Sequence, residues 1–312
     1  MASLPLKFLE RFKMILPPEV QGPALESFSR AGPFSVRVNT LRADRAQVLR
    51  EFERLGVGLT TVPWFRDALI LNNITQKELG ATDLFKNGHI YSQGLSSMLP
   101  VLVLDPKPGE KILDMCAAPG SKTTQMAAHM RNQGSILAIE AVKDRYYKLR
   151  SVISQMGASI VDCKLMDARR FRFAGEYFDR ILVDAPCSSE GRFKTTNPKT
   201  FAYWSPRKIR EMVQKQRGIL MTASHLLKPG GVMVYATCTF SPEENEGVID
   251  WLLRKTKAAI TLIPINLPGV KTYPAITEWQ GKTFNGQVQH CLRVLPDEKL
   301  EGFFIAKIRK EG

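Results

Sequence analysis

An α/β protein built on a doubly wound, mostly parallel, Rossmann-like sheet is what this 312-residue chain predicts. Two observations carry that expectation. From about residue 110, short apolar runs alternate with helical stretches, the pattern of parallel strands joined by right-handed crossovers. The residues standing directly after those runs are chemically versatile, at the place where open parallel sheets bind ligands.

The chain opens differently. Phe8, Leu9, Phe12 and Ile15 recur at helical spacing, and Pro17-Pro18 stops that helix. Ser35 to Asn39 alternates as a strand does. Asp44 caps a helix whose apolar stripe is Val48, Phe52 and Leu55 and which Gly56 closes. Strand-like runs follow at Leu59 to Trp64 and Ala68 to Leu71. Residues 1–90 therefore form a small N-terminal α/β domain, with the boundary within 75–95, and residues 91–312 the larger one. In the larger domain Lys111 to Met115, Ser135 to Glu140, Ser159 to Cys163, Asp179 to Val183 and Gly231 to Ala236 read as buried strands. Phe303 to Ile308 supplies a last one.

Composition narrows the function classes. A charged fraction of 24% with 44% hydrophobic residues describes a folded globular protein. No apolar run reaches membrane-span length, and Lys7, Glu10, Arg11 and Lys13 interrupt the first sixteen residues, so a cytoplasmic protein without a signal peptide is expected. Five cysteines without a C-x-x-C pair and four scattered histidines fit neither a zinc site nor a disulfide framework, so no metal is expected. Cys163 and Cys291 are expected as small core residues. The net charge is +14, from 13 basic against 11 acidic residues in 1–110 and 31 against 19 in 111–312. A basic field gathered in one domain suits a polyanion, nucleic acid above all, although it is also compatible with a merely solvated surface.

The strand ends carry the chemistry. After the first comes Asp114-Met115-Cys116-Ala117-Ala118-Pro119-Gly120-Ser121-Lys122, a loop of small residues opening a helix whose free N–H groups face a ligand. It is neither a Walker loop nor a Gly-x-Gly-x-x-Gly turn, which excludes P-loop and nicotinamide enzymes. Glu140 ends the second strand, placed to accept from ribose hydroxyls, with Arg145 nearby; Asp167 follows the third, placed to accept from an adenine amino group. Each acid alone could be simply solvated. Together they describe an adenosine-bearing cofactor.

The fourth strand runs into Asp184-Ala185-Pro186-Cys187 and the fifth into Thr237-Cys238-Thr239. Two thiols at neighbouring strand ends exceed what packing requires. Ser241, Pro242 and Glu244 read as cap, first-turn proline and N3 acid of the next helix, whose positive end would favour a thiolate at Cys238. Carbon 5 of cytosine is too weak a nucleophile to take a methyl group until a thiolate adds at carbon 6. The addition needs a polar partner at ring N3, and afterwards a base must remove the carbon-5 proton. Thiol, carboxylate and second thiol are all present.

These motifs resemble the Sun/Nop family of RNA cytosine-5 methyltransferases. The likeness extends to Arg37-Val38-Asn39-Thr40-Leu41, Ser97-Met98-Leu99-Pro100 and Glu301-Gly302-Phe303-Phe304-Ile305-Ala306, about residues 35–312. It implies an RNA-recognition-like N-terminal domain, a class I methyltransferase domain and S-adenosyl-L-methionine as cofactor. By the same resemblance Cys238 is the nucleophile, Cys187 the thiol resolving the adduct, Asp184 the contact near N3 and Lys122 the motif lysine. Cys116, Ala117, Ala118, Pro119, Gly120, Ser121, Lys122, Glu140, Arg145, Asp167 and Asp184 are the implied cofactor contacts. The chain departs from the family at Ser121, where many members have glycine, and at Pro296-Asp297, where Pro-His is frequent. Transfer RNA is the expected substrate, ribosomal RNA the alternative, and the protein is expected to be a monomer.

Two other readings stay open: a DNA cytosine methyltransferase using Cys187 as nucleophile, which leaves Cys238 idle, and a non-catalytic RNA-binding protein on a methyltransferase frame. Between Arg192 and Arg217 eight basic residues accompany one acid, Glu211, interleaved with Phe193, Phe201, Tyr203 and Trp204. Basic groups and aromatic faces suit an RNA path. Part of this stretch is structural, since Ile209, Met212, Val213 and Leu220 form a helical apolar stripe.

Overall fold

The computed structural model describes residues 2–30, 32–172 and 177–312. Helix α1 (Leu6–Ile15) ends before Pro17, and α2 (Pro18–Ser27) starts with Pro18 in its first turn, where the missing N–H costs nothing. Strand β1 (Phe34–Val38), helix α3 (Arg45–Arg54), strands β2 (Gly58–Thr61) and β3 (Ala68–Asn72), short helices α4 (Gln76–Ala81) and α5 (Asp83–Lys86) and strand β4 (Ile90–Ser92) follow. The four strands form one antiparallel sheet in the order β2-β3-β1-β4. The Asp44 side chain accepts from Gln47 N as expected of a cap, and Val48 and Phe52 are buried against Val36, Val38, Leu69 and Leu71. Leu55 is not part of that stripe: it stands at the helix end, 40% exposed. The expected strand at Leu59 to Trp64 stops at Thr61, because Val62 to Phe65 turns around Pro63.

Helix α6 (Leu95–Leu104) leads into β5 (Lys111–Asp114), α7 (Ser121–His129), β6 (Ser135–Glu140), α8 (Lys143–Met156), β7 (Val161–Leu165) and β8 (Phe178–Asp184). Helix α9 (Pro206–Leu226), β9 (Leu227–Thr237), α10 (Glu246–Lys255), β10 (Ile260–Leu262), β11 (Tyr273–Pro274), the hairpin β12 (Glu278–Trp279) and β13 (Lys282–Thr283), β14 (Leu292–Val294) and β15 (Phe303–Lys310) complete the chain. Strand β7 starts two residues later than the sequence suggests, because Gly157 ends α8 at a left-handed φ and Ser159 still belongs to the turn.

The large sheet runs β11-β14-β15-β9-β8-β5-β6-β7, with β10 beside β15. Strands β9, β8, β5, β6 and β7 are parallel, and β15 closes the sheet antiparallel to β9. The chain starts in the middle at β5, winds outward to β7, then crosses back to β8. That reversal leaves a crevice beyond the carboxyl ends of β5 and β8. Successive residues of the central strands feed opposite cores. Ile112, Leu182 and Val234 pack towards α6 and α7, whereas Leu113, Ile181 and Tyr235 pack towards α9 and α10.

Several contacts fix the N-terminal region to the large domain, among them Asn39 Nδ2 to Met156 O (2.9 Å) and Gln155 Nε2 to Phe85 O (3.0 Å). Arg37, fully buried, donates from Nε to Gln93 Oε1 (3.0 Å) and from a terminal nitrogen to Thr124 Oγ1 of α7 (3.0 Å); burial lowers its pKa to about 10. Helices α1 and α2 do not join the small sheet. Phe8, Phe12 and Phe28 pack instead against Phe193, Phe201 and Phe240 of the large domain. The Phe12 ring lies 5.3 Å from that of Phe240 and 5.6 Å from that of Phe28, both edge-on. Phe12→Ala is expected to cost about 3 to 5 kcal/mol, and a urea titration followed by tryptophan fluorescence will show the midpoint fall; an unchanged midpoint would make the cluster energetically idle.

Candidate active site

Loop 115–120 leaves β5 and turns sharply into α7. Ala117 N donates to Ile139 O and Gly120 N to Ala117 O, which pins the turn to β6. Gly120 has φ +108°, and a Cβ there would meet Val152 and Leu149 of α8 at 3.0–3.2 Å, so only glycine fits. Cys116, Ala118, Pro119, Ser121 and Lys122 line a cleft of about 720 Å³, a volume typical of cofactor sites. Ala117 and Gly120 do not: Ala117 points into the core and Gly120 packs on α8, so both shape the loop rather than face a ligand. Ser121, the first residue of α7, sits where a side chain is accommodated without strain.

The acids gather as expected from their strand ends. Glu140 is buried at the end of β6; its Oε1 accepts from Val142 N (2.8 Å) and its Oε2 lies 3.6 Å from Arg145. Arg145 also donates to Ala118 O (2.6 Å), tying α8 to the first loop. Asp167 lines the far end, but its carboxylate is already engaged. It accepts from Arg169 N and from the Arg169 guanidinium, which holds it below the usual carboxylate range. Asp114 lies under the loop, completely buried. Thr123 donates to its Oδ2 (2.7 Å), Oδ1 has no hydrogen-bond partner among the described residues, and burial pushes its pKa up to about 7.

At the switch point Lys122 reaches across from α7. Its ammonium donates to Asp184 Oδ2 (2.7 Å) and to Ser97 Oγ (2.9 Å) of α6 and stands over the Phe303 ring. The ion pair closes the floor between β5 and β8. Beyond it, parallel pairing of β8 with β9 sets Asp184 opposite Ala236, and the two chains leave the sheet side by side. Cys187 Sγ and Cys238 Sγ are 3.4 Å apart, and both line the cleft. The pair shares a hydrogen bond in which either sulfur can be the donor. That bond, and then the Arg192 guanidinium, lower the Cys238 thiol, while the bond to Cys238 and burial push Cys187 well up. Of the remaining cysteines Cys291 is buried as expected, whereas Cys163 is half-buried rather than a core residue and Cys116 lines the cleft; desolvation raises Cys116 and Cys291 well above the ordinary thiol value and Cys163 to about 11.

Two expectations are corrected. Ser241, Pro242 and Glu244 do not cap α10, which begins at Glu246 after an intervening turn. Glu244 is instead buried and accepts from Ser188 N and Gln216 Nε2, so the charge beside Cys238 comes from Arg192 and not from that helix end. The aromatic residues after Cys187 are no base-stacking platform either. Phe193 and Phe201 are buried beneath α1 and α2, and Trp204 donates to Glu190 Oε1 (2.8 Å). Tyr203 alone of the four is open, at 88% exposure. The apolar stripe of α9 is buried as expected, with Arg207 and Arg210 on its wet side. Sequence reasoning missed the buried carboxyls of Glu190 and Glu244. Their signal was limited to position: acids three residues after Cys187 and six after Cys238.

A reversed-order parallel sheet with an acid-lined cleft over its strand ends defines a class I methyltransferase. The family described as 16S rRNA methyltransferase RsmB/F matches residues 101–309, and the N-terminal domain of 16S rRNA methyltransferase RsmF matches residues 4–94. The chain belongs to this RsmB/F, or Sun/Nop, family of RNA methyltransferases. It is 40% identical to the tRNA (cytosine(49)-C(5))-methyltransferase of Pyrococcus abyssi over 88% of both chains. It is 39% identical to ribosomal RNA small subunit methyltransferase F of Escherichia coli over 88% of this chain, but spans only 57% of that relative's length. Among solved structures, NSun6 from Pyrococcus horikoshii with SFG superposes at a TM-score of 0.84 with 25% identity, covering 99% of this chain and 98% of that one. A methyltransferase homolog from the same organism gives 0.80 with 31% identity over 98% and 100%.

Among the described residues no cluster of His, Cys, Asp or Glu could hold a metal ion, and no helix is long and apolar enough to cross a membrane. Replacing Arg192 by Gln removes the cation that faces Cys238. The thiol should then titrate at higher pH, and iodoacetamide labelling of Cys238 at pH 7 should slow severalfold; an unshifted pH–rate curve would show that Arg192 exerts no such control.

Proposed function

We propose that the protein methylates carbon 5 of cytosine in RNA through a covalent adduct on Cys238, with S-adenosyl-L-methionine as the methyl donor. The observation that carries this reading is the 3.4 Å thiol pair at the rim of the cleft, in which the pKa of Cys238 is lowered and that of Cys187 raised. The cleft fits the donor. Glu140 would take the ribose hydroxyls, Asp167 the adenine edge, and Cys116, Ala118, Pro119 and Ser121 the close backbone approach, with the buried, half-partnered Asp114 supporting the loop from below. That donor supplies an electrophilic methyl group at the mouth shared with Asp184 and the thiols.

The chain's own residues do the rest. The Cys238 thiolate adds to carbon 6 of the ring. The Lys122–Asp184 pair faces the polar edge at N3 and the amino group, where charge develops as the thiolate adds. Cys187 would give its proton to solvent and, as thiolate, take the proton from carbon 5; the electrons of that C–H bond re-form the C5–C6 double bond and expel Cys238 as thiolate. A nucleophile at Cys187 would leave Cys238 without a task and would use the thiol that burial and its partner keep protonated.

We assign the small domain to residues 1–90 and the methyltransferase domain to 91–312, the former guiding RNA to the cleft of a cytoplasmic, monomeric enzyme. Transfer RNA is the proposed substrate, supported by the archaeal relative matched over 88% of its length. Ribosomal RNA is the second reading, favoured by the RsmF-type N-terminal domain. Radiolabelled methyl transfer to tRNA and to 16S rRNA transcripts, followed by bisulfite sequencing, decides between them.

Three outcomes test the chemistry. Cys238→Ala should lose turnover by roughly a thousandfold or more and form no protein–RNA adduct on a denaturing gel. Cys187→Ala should accumulate the adduct; identical behaviour of the two variants refutes the division of labour. For RNA binding, neutralising the exposed Lys199, Arg207 and Arg210 should flatten the slope of log affinity against log salt by about 0.7 for each phosphate no longer neutralised. An unchanged slope removes these residues from the RNA path.

A further inference from the structure

Beneath the two thiols lies a group of buried polar side chains in which, among the described residues, neither Glu190 nor Glu244 has a salt-bridge partner. Glu190 follows Cys187 by three residues and is 1% exposed; Glu244 follows Cys238 by six and is fully buried. Glu190 accepts four hydrogen bonds: from Thr239 Oγ1 (2.8 Å) and Phe240 N (3.0 Å) on Oε2, and from Ser241 Oγ (3.0 Å) and Trp204 Nε1 (2.8 Å) on Oε1. All-acceptor geometry is that of a carboxylate. Glu244 Oε2 accepts from Ser188 N (2.9 Å) and Gln216 Nε2 (2.9 Å), and its Oε1 contacts Ser188 Oγ. Ser188 Oγ lies 2.7 Å from Thr239 Oγ1. A continuous line of hydroxyls, Ser188 and Thr239, therefore joins one carboxyl to the other.

The partners are instructive. Ser188 is the residue after Cys187 and Thr239 the residue after Cys238. Each acid grips the opposite loop: Glu190, from the first thiol's loop, holds Thr239, Phe240 and Ser241 of the second, and Glu244, from the second, holds Ser188 of the first. Gly191 N donates to Cys238 O (2.9 Å) and completes the cross-bracing. Neither carboxyl lines the cleft, so neither touches substrate.

We infer that Glu190 and Glu244 are reciprocal positioning residues, joined through the hydroxyls of Ser188 and Thr239, that lock the two thiol loops at the separation the chemistry requires. The inference rests on the reading of Cys187 and Cys238 proposed above. Burial first and Glu190 second push Glu244 up to about 8, so its carboxyl is largely protonated at neutral pH. The groups facing Glu244 are Glu190 and Cys187 from the loop after β8, Gln216 from α9 and Tyr235 from β9; the Arg293–Glu246 pair beyond is mutually compensated. The sign is that of an acid raised on folding: the stability it confers is complete below the ordinary carboxylate range and is lost as pH rises through about 8. Above that pH two buried negative charges face each other across the hydroxyls.

The test uses the full chain and two readouts. The first needs no RNA: the relative rates at which iodoacetamide labels Cys238 and Cys187, read by peptide mass spectrometry from pH 6 to 9. The second is kcat and KM for methyl transfer. Glu190→Gln should abolish the labelling preference for Cys238 and lower kcat about a hundredfold, the scale of an ångström-level misplacement, with KM and S-adenosylmethionine affinity unchanged. Glu244→Gln, an amide in place of a protonated acid, should cost less at pH 7 and should keep above pH 8 the preference that the wild type loses there. Thr239→Val should behave as Glu190→Gln does, and Thr239→Ser should restore it. Equal effects of the two glutamine variants, or a labelling preference untouched in Glu190→Gln and Thr239→Val, overturn the inference. If the glutamine variants do not fold, the Thr239 pair decides. If the wild type transfers no methyl group to RNA, the proposed function fails while the labelling data still judge the lattice.

Discussion

The parallel pairing of β8 with β9 is the constraint on which this molecule turns. Hydrogen bonds that set Asp184 beside Ala236 continue past the strand ends, from Ala185 N to Ala236 O and from Gly191 N to Cys238 O. Those two bonds bracket the thiols and leave them 3.4 Å apart. Two thiols at that separation in a buried setting cannot both ionise, because the second negative charge would face the first with little solvent between them. The bond between the thiols, and then the Arg192 guanidinium, lower Cys238, while that bond and burial raise Cys187. The proposed division of chemical roles rests on this asymmetry and on the strand order that brings the two sulfurs together.

The same switch point separates two functions and then couples them. The ends of β5, β6 and β7 carry the loop and acids suited to an adenosine, whereas the ends of β8 and β9 carry the thiols. Lys122 belongs to the first half by sequence and to the second by contact, since its ammonium rests on Asp184. Anything that moves α7 therefore moves the floor of the thiol site. Arg37 matters for this reason: from the small sheet it donates to Thr124, two residues from Lys122, and so ties the small sheet to α7.

The parallel strands and the thiol pair were legible because both are written locally. Strands buried on two faces read as continuous apolar runs, and a cysteine directly after each of two neighbouring runs has few packing explanations. The parts that were not legible depend on partners far away in the chain. Phe193, Phe201 and Trp204 looked like a stacking surface until α1 and α2, more than 160 residues earlier, covered them. Ser241-Pro242-Glu244 matched a helix cap in composition, but the Glu244 carboxyl found stronger partners in Ser188 and Gln216, so the turn ran on and α10 began later. Local spacing names the groups; only the fold decides which of their possible partners wins.

That covering by α1 and α2 has a consequence for the site itself. Phe193 and Phe240 belong to the loops that follow Cys187 and Cys238, and Phe8 and Phe12 pack on them with ring centroids 4.9 Å and 5.3 Å apart. The thiol loops are thus held from three directions: by β8 and β9 behind, by the buried carboxyls between them, and by an aromatic cluster from the chain's first helix outside. Loops that must present a nucleophile cannot rely on their own backbone, since a loop without cover opens at little cost. Restraint from three sides leaves the cleft as the direction still open, and under the proposed function the cytosine would meet there two sulfurs whose separation was set before it arrived.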